Sequence, residues 1–407
     1  MVKKRTLKNK NTFFRMSNKK NNTLEKIVNC LISISKKKKL GLHNPYIDNK
    51  EIIAVKTCID TTFVSNKSFF VKKFEDELKK IVKSKYIIAV NSGTAALGIC
   101  LRALGVKENE EVITSPLSFV ATSNAIKHVG AIPHFVDIKL TNLGIDFFKL
   151  EKYLDEISII KNGILFNKKT KRKISCMLPV HIFGFPVDID QMNKIKKKFK
   201  LKILEDSAES LGSFYNKKHL GTFGDMGVLS FNGNKIITTG GGGAIITNNK
   251  KLFEISKHIA STAKKIKNFE YQHDQVAWNY IMPGINAAFG LAQIKKLATI
   301  LRKKRKLHSK ISNCFKKYTD LDIMQSEKNT NPNFWLNTLI LKYSNYNLRN
   351  RLINNLNEKG FEARPVWKLL NTLKQFKNSP HSSLKNAISI ENRIISLPSG
   401  HDIYEKF

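Results

Sequence analysis

The chain has 407 residues, 42% of them hydrophobic, so it can bury a sizeable core and is long enough for two domains. Its 71 Lys and Arg against 32 Asp and Glu leave a formal net charge of +39. The lysines are spread along the whole chain among Asn and Ile. That argues against a single nucleic-acid-binding stripe and for a positive field suited to an anionic substrate such as a nucleotide diphosphate. Five scattered cysteines (Cys30, Cys58, Cys100, Cys176, Cys314), with no CxxC pair or Cys/His cluster, lead us to expect neither a disulfide framework nor a metal site. No apolar run approaches the length of a membrane span, and no signal-peptide core follows the basic N-terminus, so the expected location is cytoplasmic.

Residues 1–21 read as a basic tail without periodicity, with Met16 an alternative start. Thr23 is placed to cap a helix carrying Leu24, Ile27, Val28 and Leu31 at helical spacing, and the lysine run 36–39 reads as solvated. A helix is predicted from about Phe69 to Val82 and a strand at Tyr86 to Val90. Asn91-Ser-Gly-Thr-Ala-Ala-Leu97 then opens a second helix, with Leu97, Cys100, Leu101 and Leu104 on one face and Gly105 closing it. A strand, a small-residue turn and a helix start make an anion site, because unpaired backbone N–H groups and the positive dipole end face outward there. Gly93 permits close approach and Thr94 adds a hydroxyl.

Strands follow at Glu111 onward and Ala131 to Asp137, separated by Leu117–Asn124; a basic, insert-like segment begins at Asn167. Ile174 to Val180 is another buried-strand pattern, ending at His181, which reads either as a neighbour of the site or as a satisfied structural residue. Asp188 and Gln191 open an amphipathic helix whose Ile189, Met192, Ile195 and Phe199 share a face.

The chain is organised around residues 203–248. Ile203-Leu-Glu-Asp206 is an apolar run ending in acid, and Gly227-Val-Leu-Ser230-Phe leads to Lys235 in a Gly- and Asn-rich turn. Four glycines, Gly240 to Gly243, precede a third strand-like run, Ala244 to Thr247. A carboxylate and a lysine, each just after a strand, beside a glycine floor, suit pyridoxal phosphate: the lysine holds it as a Schiff base and the acid keeps its ring nitrogen protonated. Alternating buried strands and amphipathic helices predict a mainly parallel α/β sheet, whose ligands gather at strand C-termini. Gly93, Thr94, Phe119, Asp206, Ser230 and Lys235 all fall at or just after such an end.

The segments EDSAESLGSFY and GTFGDMGVLSFNGNKIITTGGGGAI resemble the signature of the DegT-type sugar-nucleotide aminotransferases, fold-type I enzymes that use pyridoxal phosphate. The resemblance runs from about Asn22 to the C-terminus. It is strongest to the branch acting on UDP-linked 4-keto-6-deoxy-N-acetylhexosamines in the bacillosamine and legionaminic acid routes, where the glycine run likewise lacks the GEGG glutamate. The family implies that Lys235 forms the Schiff base and moves protons, Asp206 pairs the ring nitrogen, and Phe119 stacks on the ring. Glu209 stands near the ring oxygen where the wider family has Gln, and Ser230 with Gly93 and Thr94 binds the phosphate. HDQVAWNYIMPGINAAFGLAQ matches the stretch whose asparagine, Asn279 here, reaches the phosphate of a neighbouring subunit, which implies a homodimer. Relatives carry a basic residue at Ile281 and a glycine at Ser68, and Arg364 lies in an RPxW-like segment with substrate binding or a surface salt bridge as its two readings. The implied reaction moves an amino group from L-glutamate to C4 of the keto sugar. Rival readings are a GDP- or dTDP-linked acceptor, a non-catalytic regulator, or a sister dehydratase, which would carry histidine in place of Lys235. The expected layout is a large cofactor-binding domain over 22–258 and a smaller C-terminal α+β domain over 259–407.

Overall fold

The computed structural model describes residues 23–35 and 39–403; the basic segment 1–21 lies outside them. Seven strands build the central sheet: β1 Tyr86–Val90, β2 Glu111–Thr114, β3 Ile132–Phe135, β4 Ile174–Leu178, β5 Lys202–Asp206, β6 Met226–Ser230 and β7 Gly243–Thr247. Their order is β1-β7-β6-β5-β4-β2-β3. The five strands from β6 to β3 are parallel, and β7 alone runs antiparallel, to both β1 and β6. Every residue of β2, β4, β6 and β7 is buried, as a sheet covered on both faces requires.

The helices are α1 (23–34), α2 Asn49–Asp60, α3 Phe69–Val82, α4 Gly93–Ala103, α5 Ala121–His128, α6 Phe147–Ile157, α7 Ile189–Phe199, α8 Lys250–Ala260, α9 Gly284–Phe315, α10 Tyr346–Glu358 and α11 Lys385–Glu391. Polar caps begin several of them. Asp188 accepts from the Gln191 amide at 3.2 Å, and Ser68 starts α3 by accepting from Phe70 N at 3.3 Å. The Ser68 hydroxyl thus satisfies an otherwise orphaned helix donor. α9 is 32 residues long, about 48 Å at the α-helical rise. It packs on α2 and α3 and, further along, on the edge of a second, four-stranded sheet. That sheet contains β8 Leu321–Ile323, β9 Asn337–Leu341, β10 Arg364–Pro365 and β11 Ile394–Leu397 in the order β8-β9-β11-β10, all antiparallel. The expected domain boundary at 258/259 falls in the last turn of α8, where Ile259 and Ala260 join the core of the main sheet.

One feature adds to the sequence reading and one departs from it. The basic insert is clamped: the side chains of Asn167 (3.0 Å) and Thr170 (2.5 Å) donate to the buried carboxylate of Glu111, which also bonds His134 at 2.8 Å. The cysteines, in which no pairing was expected, include one bonded pair, Cys30 on α1 with Cys314 on α9, 284 residues apart. Linear spacing carries no trace of that pair because only tertiary packing lays α1 along the end of α9. Among the described residues no helix is long and apolar enough to cross a membrane.

Candidate active site

Asp206 ends β5, where the backbone of Val180 bridges to it: Asp206 N donates to Pro179 O (2.9 Å) and its carbonyl accepts from His181 N (3.1 Å). Its carboxylate is buried, with Oδ2 accepting from the Thr122 hydroxyl (2.8 Å) and Oδ1 from Ala208 N (3.2 Å). Burial pushes this carboxyl above its usual range, and the Thr122 and Ala208 bonds and the Lys235 charge pull only part of the way back. One turn on, Glu209 is buried as well. Its Oε2 accepts from Phe183 N (2.7 Å), and burial raises it despite the neighbouring Lys235 charge.

Lys235 sits in the turn after β6, with its amide bonded to Asn232 O at 2.9 Å. Its Nζ lies 3.3 Å from Glu209 Oε1 and 3.9 Å from the centroid of the Trp335 ring. Across the cleft, Ser92 caps α4 by accepting from Ala95 N (3.1 Å), and the first helical bond is Ala96 N to Ser92 O (3.1 Å). The amides of Gly93 and Thr94 precede that bond and lie at the positive end of the helix, as an anion needs. Glycine is required around this cradle. A Cβ on Gly93 would stand 3.0 Å from Ser230 Cβ, and one on Gly243 would stand 2.6 Å from Ser92 C and 2.7 Å from Gly93 N.

These groups line one cavity of about 330 Å³: Lys235, Asp206, Glu209, Ser230, Gly93, Thr94 and Phe119 all face it. Phe119 is 53% exposed, an unusual state for a Phe and one that leaves a flat apolar face toward the cleft. Asn279 is the exception. It is exposed outside the cavity, where its Oδ1 accepts from Asn66 Nδ2 at 3.3 Å. His181 takes the structural reading, being buried with Nε2 on Glu205 (3.0 Å) and Nδ1 accepting from Val187 N (3.2 Å). Arg364 pairs with Glu362 at 2.8 Å on the surface, while Trp367 from the same segment reaches the cavity wall. Ile281 bridges to Val90 at the end of β1, a backbone contact that asks for no charge.

The sequence reading missed Thr122 and Trp335. Thr122 lies three residues after Phe119 and so shares its side of the segment, a signal that was present. Trp335 follows Lys235 by 100 positions and carried no local signal. The residues fit pyridoxal phosphate: a lysine, a buried acid, a glycine-lined helix start for phosphate and an exposed aromatic face converge on one cavity.

Residues 45–406 match the model of the DegT/DnrJ/EryC1/StrS aminotransferase family. The chain is similar to the GDP-perosamine synthase of Escherichia coli O157:H7, with 32% identity over 364 residues, 89% of this chain and 93% of that one. Its similarity to the GDP-perosamine synthase of Vibrio cholerae is 30% over 364 residues, covering 88% and 94%. Among solved structures it is similar to Helicobacter pylori PseC, an aminotransferase involved in the biosynthesis of pseudoaminic acid, at 25% identity and a TM-score of 0.81, covering 90% and 95%. The fold, the cavity and these likenesses agree, and the chain belongs to the DegT/DnrJ/EryC1/StrS family of pyridoxal-phosphate-dependent sugar-nucleotide aminotransferases.

Proposed function

We propose that this enzyme moves an amino group from L-glutamate to C4 of a UDP-linked 4-keto-6-deoxy-N-acetylhexosamine. The observation that carries the transamination is that Lys235, the buried Asp206 and the α4 start at Gly93 and Thr94 line one cavity. Bound pyridoxal phosphate supplies an aldehyde for a lysine and a ring that accepts electrons. Lys235 would hold the cofactor through its amine and, once freed as the neutral amine, would serve as the base and then the acid of the proton transfer. Asp206 would pair with the ring nitrogen, and the Thr122 hydroxyl favours its ionised form against the opposing effect of burial. Glu209 and Phe119, which line the same cavity, would meet the ring oxygen and cover the ring face. Ser230 with the amides of Gly93 and Thr94 takes the phosphate.

Asn279 is exposed and lies outside the lining of its own cavity, which supports a role in the cavity of a second copy and therefore a homodimer. Exposed apolar residues near it and on α2, among them Ile59, Phe63, Val64 and Phe69, give such a copy a surface to cover. The UDP-linked acceptor rests on the resemblance of residues 203–248. A GDP-linked acceptor is the second reading, favoured by the two perosamine synthases.

The test is the cofactor absorption spectrum, first with L-glutamate and then with UDP-, GDP- and dTDP-linked 4-keto-6-deoxy sugars in turn. Loss of the lysine-bound band with glutamate, and its return with one sugar, is the expected result and names the acceptor. A Lys235→Ala protein that still forms the lysine-bound band would remove the site assignment.

A further inference from the structure

Trp335 has no part in the roles assigned above, yet its polar groups are fully engaged. Its amide donates to Asn333 Oδ1 (2.9 Å), its indole N–H to Asn234 O (2.7 Å), and its carbonyl accepts from Lys304 Nζ (3.0 Å). Asn333 is itself wholly buried, and its Nδ2 donates to the carbonyls of Glu209 (2.8 Å) and Leu211 (3.0 Å). One buried side-chain amide therefore ties the Glu209 turn to the Trp335 backbone in one hydrogen-bonded unit. His43 backs the indole edge-on, with ring centroids 6.4 Å apart. Against this unit lies the Lys235 amine, with a π face 3.9 Å away and a carboxylate oxygen 3.3 Å away. A ring face and an anion converging on one nitrogen form a desolvated seat for an ammonium.

We infer that this is the seat of the Lys235 ammonium in the cofactor-free protein and in the resting amino-loaded form, and that Trp335 is a positioning residue which competes with the cofactor aldehyde for it. The inference rests on Lys235 being the Schiff-base lysine. When the aldehyde captures the amine, a C=N bond replaces the aldehyde C=O. Ammonium and aldehyde give a protonated imine and one water, and Nζ is drawn off the indole. In the amino form of the cofactor, pyridoxamine phosphate, C4′ already carries its nitrogen, and Lys235 keeps its seat. The seat therefore contributes equally to the cofactor-free protein and to the pyridoxamine phosphate complex, and is given up only for pyridoxal phosphate. It biases the enzyme toward the amino-loaded form, ready for the keto sugar, and holds the free lysine one swing from C4′.

The test is equilibrium dialysis of pyridoxal phosphate and of pyridoxamine phosphate against full-length wild-type, Trp335→Leu and Trp335→Phe proteins. Trp335→Leu removes the π face, so pyridoxal phosphate binds more tightly while pyridoxamine phosphate is unchanged. The ratio of the two dissociation constants shifts by roughly 2- to 30-fold, the range of a cation–π contact. Trp335→Phe keeps a ring and stays near wild type. An unchanged ratio, or equal weakening of both forms, overturns the inference. If the leucine variant does not fold, a fluorinated tryptophan at position 335 keeps the shape and weakens the ring face, and it must shift the ratio in the same direction. Borohydride trapping with peptide mapping separates the two layers. A label away from Lys235 overturns the site assignment, whereas a label on Lys235 with an unchanged ratio overturns the seat alone.

Discussion

Thr122 offers the sharpest test of how the site works. It is 2% exposed, and its hydroxyl stands 2.8 Å from Asp206 Oδ2 and 2.7 Å from Ser118 Oγ. Burial raises the Asp206 carboxyl, and the Thr122 bond is the largest influence opposing it. Thr122→Val removes the donor at nearly constant shape. A buried hydrogen bond to an ionised group is worth about 1.5 to 3 kcal/mol, which converts to roughly 10- to 150-fold in rate if Asp206 must be charged to hold the ring nitrogen protonated. We expect the half-reaction with glutamate, followed by stopped-flow absorbance, to slow by that factor. The acid limb of its pH profile should move to higher pH, because the carboxyl holds its proton longer. Thr122→Ser restores the donor and the rate. A valine variant within about twofold of wild type, with an unshifted acid limb, would refute the reasoning.

Three further outcomes follow from other parts of the molecule. Gly243→Ala places a Cβ 2.6 Å from Ser92 C, so the start of α4 must shift; thermal unfolding should show a loss of about 1–3 kcal/mol, together with weaker cofactor binding, and a variant unchanged in both would contradict the close approach. His219 is held neutral by burial, with its pKa lowered to about 4, while Gly212 N donates to its Nε2 at 2.9 Å. The unfolded chain takes up a proton below about pH 6.5 and the folded one does not, so stability falls as pH drops from there to about 4. The share due to this group is about 3 kcal/mol, measurable by urea titration at stepped pH as the difference between wild type and His219→Gln. With Cys30 and Cys314 joined, thiol titration in denaturant should count the three free cysteines, Cys58, Cys100 and Cys176, and all five after reduction.

The elements were legible in the sequence because hydrophobic periodicity is a local property. The helix at Phe69–Val82 and the strand at Tyr86–Val90 have the bounds their apolar spacing predicts, and the β5 and β6 runs end at Asp206 and Ser230. Because ligands of a parallel sheet gather at strand ends, the convergence of Gly93, Phe119, Asp206, Ser230 and Lys235 could be read before any coordinate. Contacts between distant segments could not. The antiparallel insertion of β7 between β1 and β6, the Thr122 bond to Asp206 84 residues on, and the Cys30–Cys314 pair leave no periodic mark. The same holds for Trp335, which reaches Lys235 only because Asn333 grips the Glu209 turn and Lys304 the Trp335 carbonyl. Local pattern decides which face of an element is apolar; which two faces meet is decided by packing the whole chain at once, and there the amine found its aromatic seat.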